Sequence, residues 1–517
     1  MCKLAYAAMD DCDTLDQATR SLAKRFGNRP AFQLDDQVVD FEQIDRASDQ
    51  VAEGLRAEGL SPGDRIAIVA KDCIAGYEIL LGCAKAGCVL VPLNWKLSGE
   101  ELKNILHDSR AKLVFADDTG STKLAGFEIH PRPLSGYPAW RDSQPQIRAS
   151  FQANAETPIV QIYTSGTTGI PKGVVLAHRT FFDLRRGMRQ MGDDWMGLTA
   201  KDRLLLSLPQ FHIGGLWWAV QGYLVGAMGV LMESFVGWKA LELIEKSQVT
   251  QVPMVPAMIQ FCLAEPSFDS TDLSSVRGFL YGGSPISSEL LRTVQHKFLN
   301  AEFFQIYGLT ETGNMAVCLR PADHGNDRLA HAAGRPLPGV DCKIVGVNGN
   351  ELPANQTGEI CLRTPSLMLE YWNRPDETNA TSIDGWLKTG DAGYVNEEGY
   401  LFVSDRIKDM IIYAGENLFP TEIESALLRH EAIRDAAVIG VPDPKWGESP
   451  KAFVVLNETV EKPRIRDLMK FAKSQLAEFK VPKSFEFVTD LPRNPSGKIL
   501  KSEIRRPYWQ NQNRKVN

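Results

Sequence analysis

One segment of the chain, residues 163–173, concentrates groups that can bind phosphate. It reads YTSGTTGIPKG and combines hydroxyl side chains with three glycines and Lys172. Glycine lets the backbone approach a ligand closely, N–H groups and hydroxyls donate to phosphate oxygens, and lysine adds positive charge. It is not a Walker A loop, because Pro171 rather than glycine precedes the lysine. The sequence predicts a phosphate-binding loop between two mostly apolar strands, with an ordinary flexible loop as the alternative.

Six further segments carry residue types that suit a nucleotide site. They are 281–285 (YGGSP), 305–313 (QIYGLTETG), 386–391 (WLKTGD), 404–409 (SDRIKD), 413–417 (YAGEN) and 495–498 (PSGK). Together with the loop, and in this order, they resemble the signature segments of the adenylate-forming superfamily. That superfamily contains acyl-CoA synthetases, amino-acid adenylation domains and firefly-type luciferases. Any one segment is modest evidence, but all of them in the same order are typical of the superfamily.

The resemblance implies a reaction in which a carboxylate attacks the α-phosphate of ATP and pyrophosphate leaves. Negative charge then collects around that phosphorus, so a magnesium ion and cationic side chains are required. Glu311 is the implied metal contact, and Thr168 and Lys498 are the other implied catalytic residues. A carboxylate at an exposed turn or helix start is the alternative interpretation of Glu311. The residues implied to bind ATP or coenzyme A are Thr164, Ser165, Gly166, Thr167, Thr168, Gly169, Lys172, Gly282, Gly283, Ser284, Tyr307, Gly308, Thr310, Asp391, Arg406 and Gly415.

The same resemblance implies that the C-terminal part of the chain moves. Lys498 would serve adenylation, after which a rotation about Asp405 would bring the segment around Gly415 to admit the thiol of coenzyme A. A glycine there suits a narrow channel lined by backbone, although Gly415 is also typical of an ordinary turn.

Residues 209–215 (PQFHIGG) resemble the segment that borders the acyl pocket in the superfamily. The implied pocket residues are His212, Gly214, Trp217 and Gly283. Amino-acid adenylation domains place an aspartate near this segment, and its absence here disfavours an amino-acid substrate. A lone histidine among apolar residues is also typical of a core histidine, and Trp217 is also typical of helix core.

The expected function is ATP-dependent activation of an apolar carboxylic acid, a medium- or long-chain fatty acid, followed by acyl transfer to coenzyme A. An aryl or aryl-alkanoic acid is the alternative substrate for the same reaction. A luciferase-like oxygenase is disfavoured, since His212 stands alone where luciferases carry paired histidines. A non-catalytic nucleotide-binding protein is disfavoured by the joint presence of Glu311, Asp391 and Lys498.

The composition limits partners and location. The chain has 517 residues and a net charge of −7, which argues against a nucleic-acid partner. Nine cysteines without metal-ligand spacing are typical of reduced thiols, and no signal-peptide pattern begins the chain, so a cytoplasmic location is expected. Residues 204–232 carry no charge, but Pro209 and five glycines there favour strands and a helix over a membrane span. The sequence leaves a homodimer open.

Strands and helices that alternate along the chain must position these residues. Apolar runs at 65–70, 89–93, 112–116, 204–208, 228–232, 249–254, 277–281 and 302–306 predict the strands of an α/β fold. We expect a large N-terminal domain of doubly wound sheets over 1–404, which includes a small β-rich subdomain at 340–403. A small, mobile α+β domain is expected over 405–517.

Overall fold

The computed structural model describes residues 11–128, 130–148, 151–164, 171–413, 416–457, 460–493 and 499–510. The strands are β1 Pro30–Leu34, β2 Gln37–Asp40, β3 Arg65–Val69, β4 Val89–Leu93, β5 Leu113–Ala116, β6 Arg132–Pro133, β7 Pro158–Thr164, β8 Lys172–Ala177, β9 Arg203–Leu206, β10 Met228–Leu231, β11 Gln251–Met254, β12 Gly278–Gly282, β13 Glu302–Tyr307, β14 Val317–Leu319, β15 Arg335–Pro336, β16 Asp341–Val345, β17 Gly358–Arg363, β18 Glu370–Tyr371, β19 Ser382–Ile383, β20 Trp386–Val395, β21 Leu401–Arg406, β22 Ile411–Tyr413, β23 Glu416–Leu418, β24 Ile433–Asp443, β25 Gly447–Leu456 and β26 Ser484–Val488.

The helices alternate with many of these strands. They are α1 Leu15–Phe26, α2 Phe41–Ala57, α3 Ile74–Ala86, α4 Gly99–Ser109, α5 Asp118–Leu124, α6 Tyr137–Asp142, α7 Arg179–Gln190, α8 Ile213–Leu224, α9 Gly237–Lys246, α10 Pro256–Leu263, α11 Ser288–Lys297, α12 Pro375–Thr381, α13 Pro420–Leu427, α14 Ile465–Gln475 and α15 Lys501–Trp509.

The chain divides into two compact units. The first comprises Met1–Cys342 and Leu362–Leu387, and the second comprises Lys343–Cys361 and Lys388–Asn517. Most of the expected β-rich subdomain therefore groups with the C-terminal residues. The predicted boundary at 405 lies inside the second unit, and a separate domain that begins there stays a prediction.

A nine-stranded sheet forms half of the first unit. Its order is β15-β14-β13-β12-β11-β9-β10-β1-β2, and the neighbours from β13 to β1 all run parallel. Its central strands are continuous apolar runs, as expected where helices cover both faces of a parallel sheet. Five predicted strands are confirmed, with each end within about two residues of its predicted position. They are those at 204–208, 228–232, 249–254, 277–281 and 302–306.

A seven-stranded sheet forms the other half, in the order β18-β8-β7-β4-β3-β5-β6. The strands predicted at 65–70, 89–93 and 112–116 are its β3, β4 and β5. A capping box at Ser98 begins α4: Ser98 accepts from the Glu101 N–H, and the Glu101 side chain accepts from the Ser98 N–H. Strands β7 and β8 form an antiparallel hairpin in which Thr164 pairs with Lys172. This hairpin holds the two ends of the predicted phosphate loop.

The uncharged stretch at 204–232 folds as β9, α8 and β10 in the core of the first unit. No helix in the described ranges is long and apolar enough to cross a membrane.

The second unit has its own core and contains one complete five-stranded sheet. β24 and β25 form a long antiparallel hairpin, β22 pairs antiparallel with β23 and β25, and β26 runs parallel to β25. Apolar residues of α13, α14 and these strands pack together, among them Ile423, Leu468 and Val454. Its other sheet pairs β20 with β21.

Candidate functional site

Glycines lie at the C-terminal ends of β12 and β13. Gly282 ends β12, and an added Cβ there would clash with the carbonyl of Ile306. Gly283 has a φ of +76°, and a Cβ at Gly308 would clash with the carbonyl of Asn314. Ligands of open α/β sheets bind at the carboxyl ends of the strands. The glycines predicted to bind the nucleotide therefore lie at the ligand-binding end of the sheet, and packing against neighbouring backbone requires glycine at positions 282 and 308.

Glu311 lies in a short 3-10 turn, Thr310–Thr312, directly after β13. Its carbonyl accepts a hydrogen bond from the Met368 N–H at 2.8 Å, and its Oε1 accepts from the Tyr371 hydroxyl at 2.8 Å. Burial, followed by the Glu311 carboxylate, raises the pKa of Tyr371, so this hydroxyl keeps its proton. The segment around β18 thus fixes both the backbone and the side chain of Glu311.

Lys172 begins β8 and lies beside the same tyrosine. Its Nζ is 5.1 Å from the centre of the Tyr371 ring and forms an ion pair with Glu377 of α12. The hydrogen bond from Lys172, opposed by burial, lowers the pKa of Glu377. Tyr371 therefore connects the loop lysine to Glu311, although the three residues lie far apart in the sequence.

The site fits a magnesium ion that takes most of its ligands from phosphate and water. Glu311 Oε1 holds Tyr371, whereas Oε2 has no hydrogen-bond partner among the described residues. The described residues contain no cluster of three or more His, Cys, Asp or Glu side chains able to hold a metal by themselves. Mg²⁺ in nucleotide enzymes uses one or two carboxylates together with substrate phosphates. One Glu311 oxygen without a partner among the described residues, linked through Tyr371 to Lys172 at the end of the predicted phosphate loop, suits that chemistry.

His212 precedes α8, at the helix N-terminus. The residue is half-buried, and its Nε2 is buried without a hydrogen-bond partner among the described residues. Burial, and to a lesser extent the charge of Lys96, lowers the pKa of His212 to about 4, so the ring is neutral at pH 7. A neutral imidazole donor at the positive end of a helix is suited to a carboxylate oxygen. The alternative of a satisfied core histidine is disfavoured by the unpartnered nitrogen.

The remaining pocket predictions lie on or near α8. A Cβ added at Gly214 would lie 3.6 Å from Oδ1 of Asn314, so the start of α8 faces the turn that follows Glu311. Trp217 is 2% exposed and packs edge-to-face on Trp195, with ring centres 5.5 Å apart. Its neighbour Trp218 is core, because its indole N–H donates to the Leu205 carbonyl. A pocket role for Trp217 stays a prediction.

Two of the residues implied to bind ATP or coenzyme A, Asp391 and Arg406, lie together in the second unit. Asp391 and Arg406 are register partners on β20 and β21, and their side chains form an ion pair with a distance of 2.6 Å. The predicted hinge residue Asp405 accepts from the N–H and the hydroxyl of Thr421 at 2.9 and 2.7 Å. Lys501 of α15 lies 3.6 Å from Asp405. The hinge segment is thus held by side-chain contacts within its own unit.

Several predicted site residues lie outside the described residues: Ser165, Gly166, Thr167, Thr168, Gly169, Gly415 and Lys498. Sequence reasoning missed Tyr371 and Glu377, which contact the predicted residues Glu311 and Lys172. No local signal marks them, since both contacts depend on the pairing of β18 with β8 (Tyr371 opposite Val174).

Comparisons with known proteins identify the family to which the chain belongs. Residues 19–372 match the family described as AMP-binding enzyme, and residues 422–498 match the AMP-binding enzyme C-terminal domain. The chain is 45% identical to the fatty acid–[acyl-carrier-protein] ligase ScoC of Streptomyces coeruleorubidus, over 98% of each chain. It is 34% identical to the long-chain-fatty-acid–CoA ligase FadD13 of Mycobacterium tuberculosis, over 90% of this chain and 93% of that one.

A solved structure shows the same fold. It is the o-succinylbenzoate CoA synthetase MenE of Bacillus subtilis in complex with the acyl-adenylate intermediate OSB-AMP. The TM-score is 0.85 at 32% sequence identity, and the match covers 97% of this chain and 99% of the other. The two family matches show that the chain belongs to the AMP-binding enzyme family. Together with the relatives, they identify it as an ATP-dependent, AMP-forming ligase of the carboxylate–CoA ligase branch of the adenylate-forming superfamily.

Proposed function

We propose that the protein activates a medium- or long-chain fatty acid as its acyl-adenylate and then transfers the acyl group to the thiol of coenzyme A. The observation that carries the proposal is the Nε2 of His212, which lies at the start of an apolar helix and has no hydrogen-bond partner in the described part of the chain. Helix α8 reads IGGLWWAVQGYL and contains no acidic or basic residue. A carboxylate can therefore be bound at the helix N-terminus, while an apolar tail meets no charge along the helix.

Each of several described residues has its own role in the first half-reaction, the formation of the acyl-adenylate. His212 orients the carboxylate of the acid, and the bare backbone at Gly282, Gly283 and Gly308 accommodates the adenine. Lys172 attracts the outgoing phosphates from the end of the β7–β8 hairpin. Bound magnesium would supply positive charge at the phosphates, and Glu311, held by Tyr371, would hold the ion through a carboxylate oxygen.

The second unit contributes the remaining parts of the proposal. Asp391 presents a carboxylate to the ribose hydroxyls, and Arg406, its ion-pair partner, orients that carboxylate. Lys498 supplies a cation to the α-phosphate during adenylation, and the strand that ends at Tyr413 leads to Gly415, where the thiol enters. These roles rest on the resemblance of the segments.

The substrate is tested by a panel of acids. Octanoate, palmitate, benzoate and cinnamate are compared for AMP release with ATP and coenzyme A, together with a minus-acid control. The proposal expects octanoate or palmitate to give the highest kcat/KM. Preference for benzoate or cinnamate would instead establish an aryl acid, the class that MenE, with its o-succinylbenzoyl-adenylate, represents among the relatives.

A carrier-protein thiol is a second candidate acceptor, favoured by the identity of 45% with ScoC, a ligase that uses an acyl-carrier protein. Coenzyme A and a holo carrier protein present the same phosphopantetheine thiol, so the adenylation site alone does not distinguish them. Acyl transfer is therefore measured to coenzyme A and to a holo acyl-carrier protein, with the apo carrier protein as control. A kcat/KM that is higher for the holo carrier protein by tenfold or more would replace coenzyme A as the proposed acceptor.

A further inference from the structure

The ammonium of Lys172 is already paired with a carboxylate of its own chain. Glu377 contacts the Lys172 Nζ, and the lysine side chain is only 14% exposed. A partly buried ammonium costs free energy unless an anion accompanies it. Glu377 therefore occupies the place beside Lys172 where the proposed function requires a phosphate.

The position of Glu377 is fixed from a second side. Arg374, in the turn before α12, lies 3.4 Å from Glu377 and 3.7 Å from Asp108. Asp108 in turn accepts a hydrogen bond of 2.6 Å from the hydroxyl of Tyr163 on β7. The carboxylate is thus tied to both strands that flank the loop: directly to Lys172 on β8, and by way of Arg374 and Asp108 to Tyr163 on β7. The ion pair is part of a network rather than a chance surface contact.

We propose that Glu377 is a resident counter-anion of Lys172, which the lysine exchanges for the phosphates of the nucleotide and regains when pyrophosphate leaves. This inference rests on the proposed function, because it takes Lys172 to face the departing phosphates. A ligand that must displace Glu377 binds more weakly by the free energy of the lost pair. Glu377 accordingly lowers the affinity for pyrophosphate and speeds its release, which makes it a positioning residue rather than a catalytic one.

The exchange predicts that a Glu377 variant binds pyrophosphate more tightly, which is the opposite of what general damage to the fold would cause. Removing the charge of Glu377 leaves Lys172 without its internal anion, so pyrophosphate and ATP should bind more tightly. Ion pairs of partly exposed residues contribute modestly, which corresponds to a gain of about two- to fivefold in affinity. A variant that merely disturbs the fold would lose affinity instead.

The experiment compares Glu377→Gln with wild type by pyrophosphate inhibition of acyl-adenylate formation. Asp376→Asn is the matched control, since Asp376 neighbours Glu377 on α12, is exposed and forms no ion pair within the described ranges. We expect the inhibition constant for pyrophosphate to fall two- to fivefold in Glu377→Gln and to stay unchanged in Asp376→Asn. In a Lys172→Met background, Glu377→Gln should no longer tighten pyrophosphate binding.

An unchanged or weaker pyrophosphate affinity in Glu377→Gln overturns the inference. If that variant does not fold, Glu377→Asp, which keeps the charge but shortens its reach, is measured for the same fall in the inhibition constant, and no fall refutes the exchange. Wild-type protein that forms no adenylate with any acid refutes the proposed function itself. Wild-type activity with unaltered inhibition in the variants refutes only the exchange.

Discussion

Removal of the Tyr371 hydroxyl tests whether Glu311 must be held in place for the reaction. Tyr371 is 6% exposed and donates to Glu311 Oε1 at 2.8 Å. Hydrogen bonds to charged groups contribute about 1.5–3 kcal/mol. If the whole free energy of this hydrogen bond stabilises the transition state, Tyr371→Phe lowers kcat/KM for ATP by roughly ten- to hundredfold, at 1.36 kcal/mol per tenfold. The ring and its contact with Lys172 remain, so the unfolding temperature should change little.

The assay follows pyrophosphate release at saturating acid over a range of Mg²⁺ concentrations. We expect Tyr371→Phe to require more Mg²⁺ for half-maximal rate and to keep a lower kcat at saturation. Tyr394→Phe is the control, because Tyr394 stacks on Phe402 in the other unit and its hydroxyl has no hydrogen bond among the described residues. A Tyr371→Phe enzyme within twofold of wild type at every Mg²⁺ concentration would refute the reasoning.

Three further predictions concern binding of the carboxylic acid substrate, the need for glycine at position 308, and the stability of the fold at low pH. His212→Ala should raise KM for the acid by about tenfold or more with little change in KM for ATP, as steady-state kinetics will show, because one donor to a carboxylate is lost. Gly308→Ala should abolish adenylation, because the added Cβ would clash with the Asn314 carbonyl. Gly325→Ala is the control and should be neutral, since Gly325 has open space around it. Both variants are measured by pyrophosphate release and by thermal unfolding. Burial lowers the pKa of His178 to about 3, below the value of about 6.5 expected in the unfolded chain, so the stability that neutral His178 contributes above pH 6.5 is lost as pH falls towards 3. The difference between wild type and His178→Asn in urea unfolding should therefore shrink by about 2 kcal/mol from pH 7 to pH 5, and an unchanged difference would contradict this.

Much of the fold could be predicted because its signals are local. The central strands β3, β4 and β9–β13 are continuous apolar runs, and the Ser98 capping box lies within four residues. The glycines at 282, 283 and 308 were identified by resemblance, and the structure explains them by clashes or a positive φ. Local pattern and motif together therefore located the ends of β12 and β13 correctly.

The partners of the charged residues could not be predicted in this way. Tyr371 lies 60 residues from Glu311, and Glu377 is still farther from Lys172 along the chain. Both contacts depend on β18, a strand of two residues that pairs with β8, and so short a strand has no recognisable period. The unit boundaries after 342, 361 and 387 fall inside β16, β17 and β20, so no loop marks them in the sequence.

The central claim is that the protein makes an acyl-adenylate, and exchange of labelled pyrophosphate into ATP without any thiol tests it most directly. The account predicts exchange that requires both Mg²⁺ and a fatty acid. It also predicts that Lys498→Ala loses this exchange at least a hundredfold while it still binds ATP. Absence of exchange with every acid tried, or near-normal exchange in Lys498→Ala, would contradict the account.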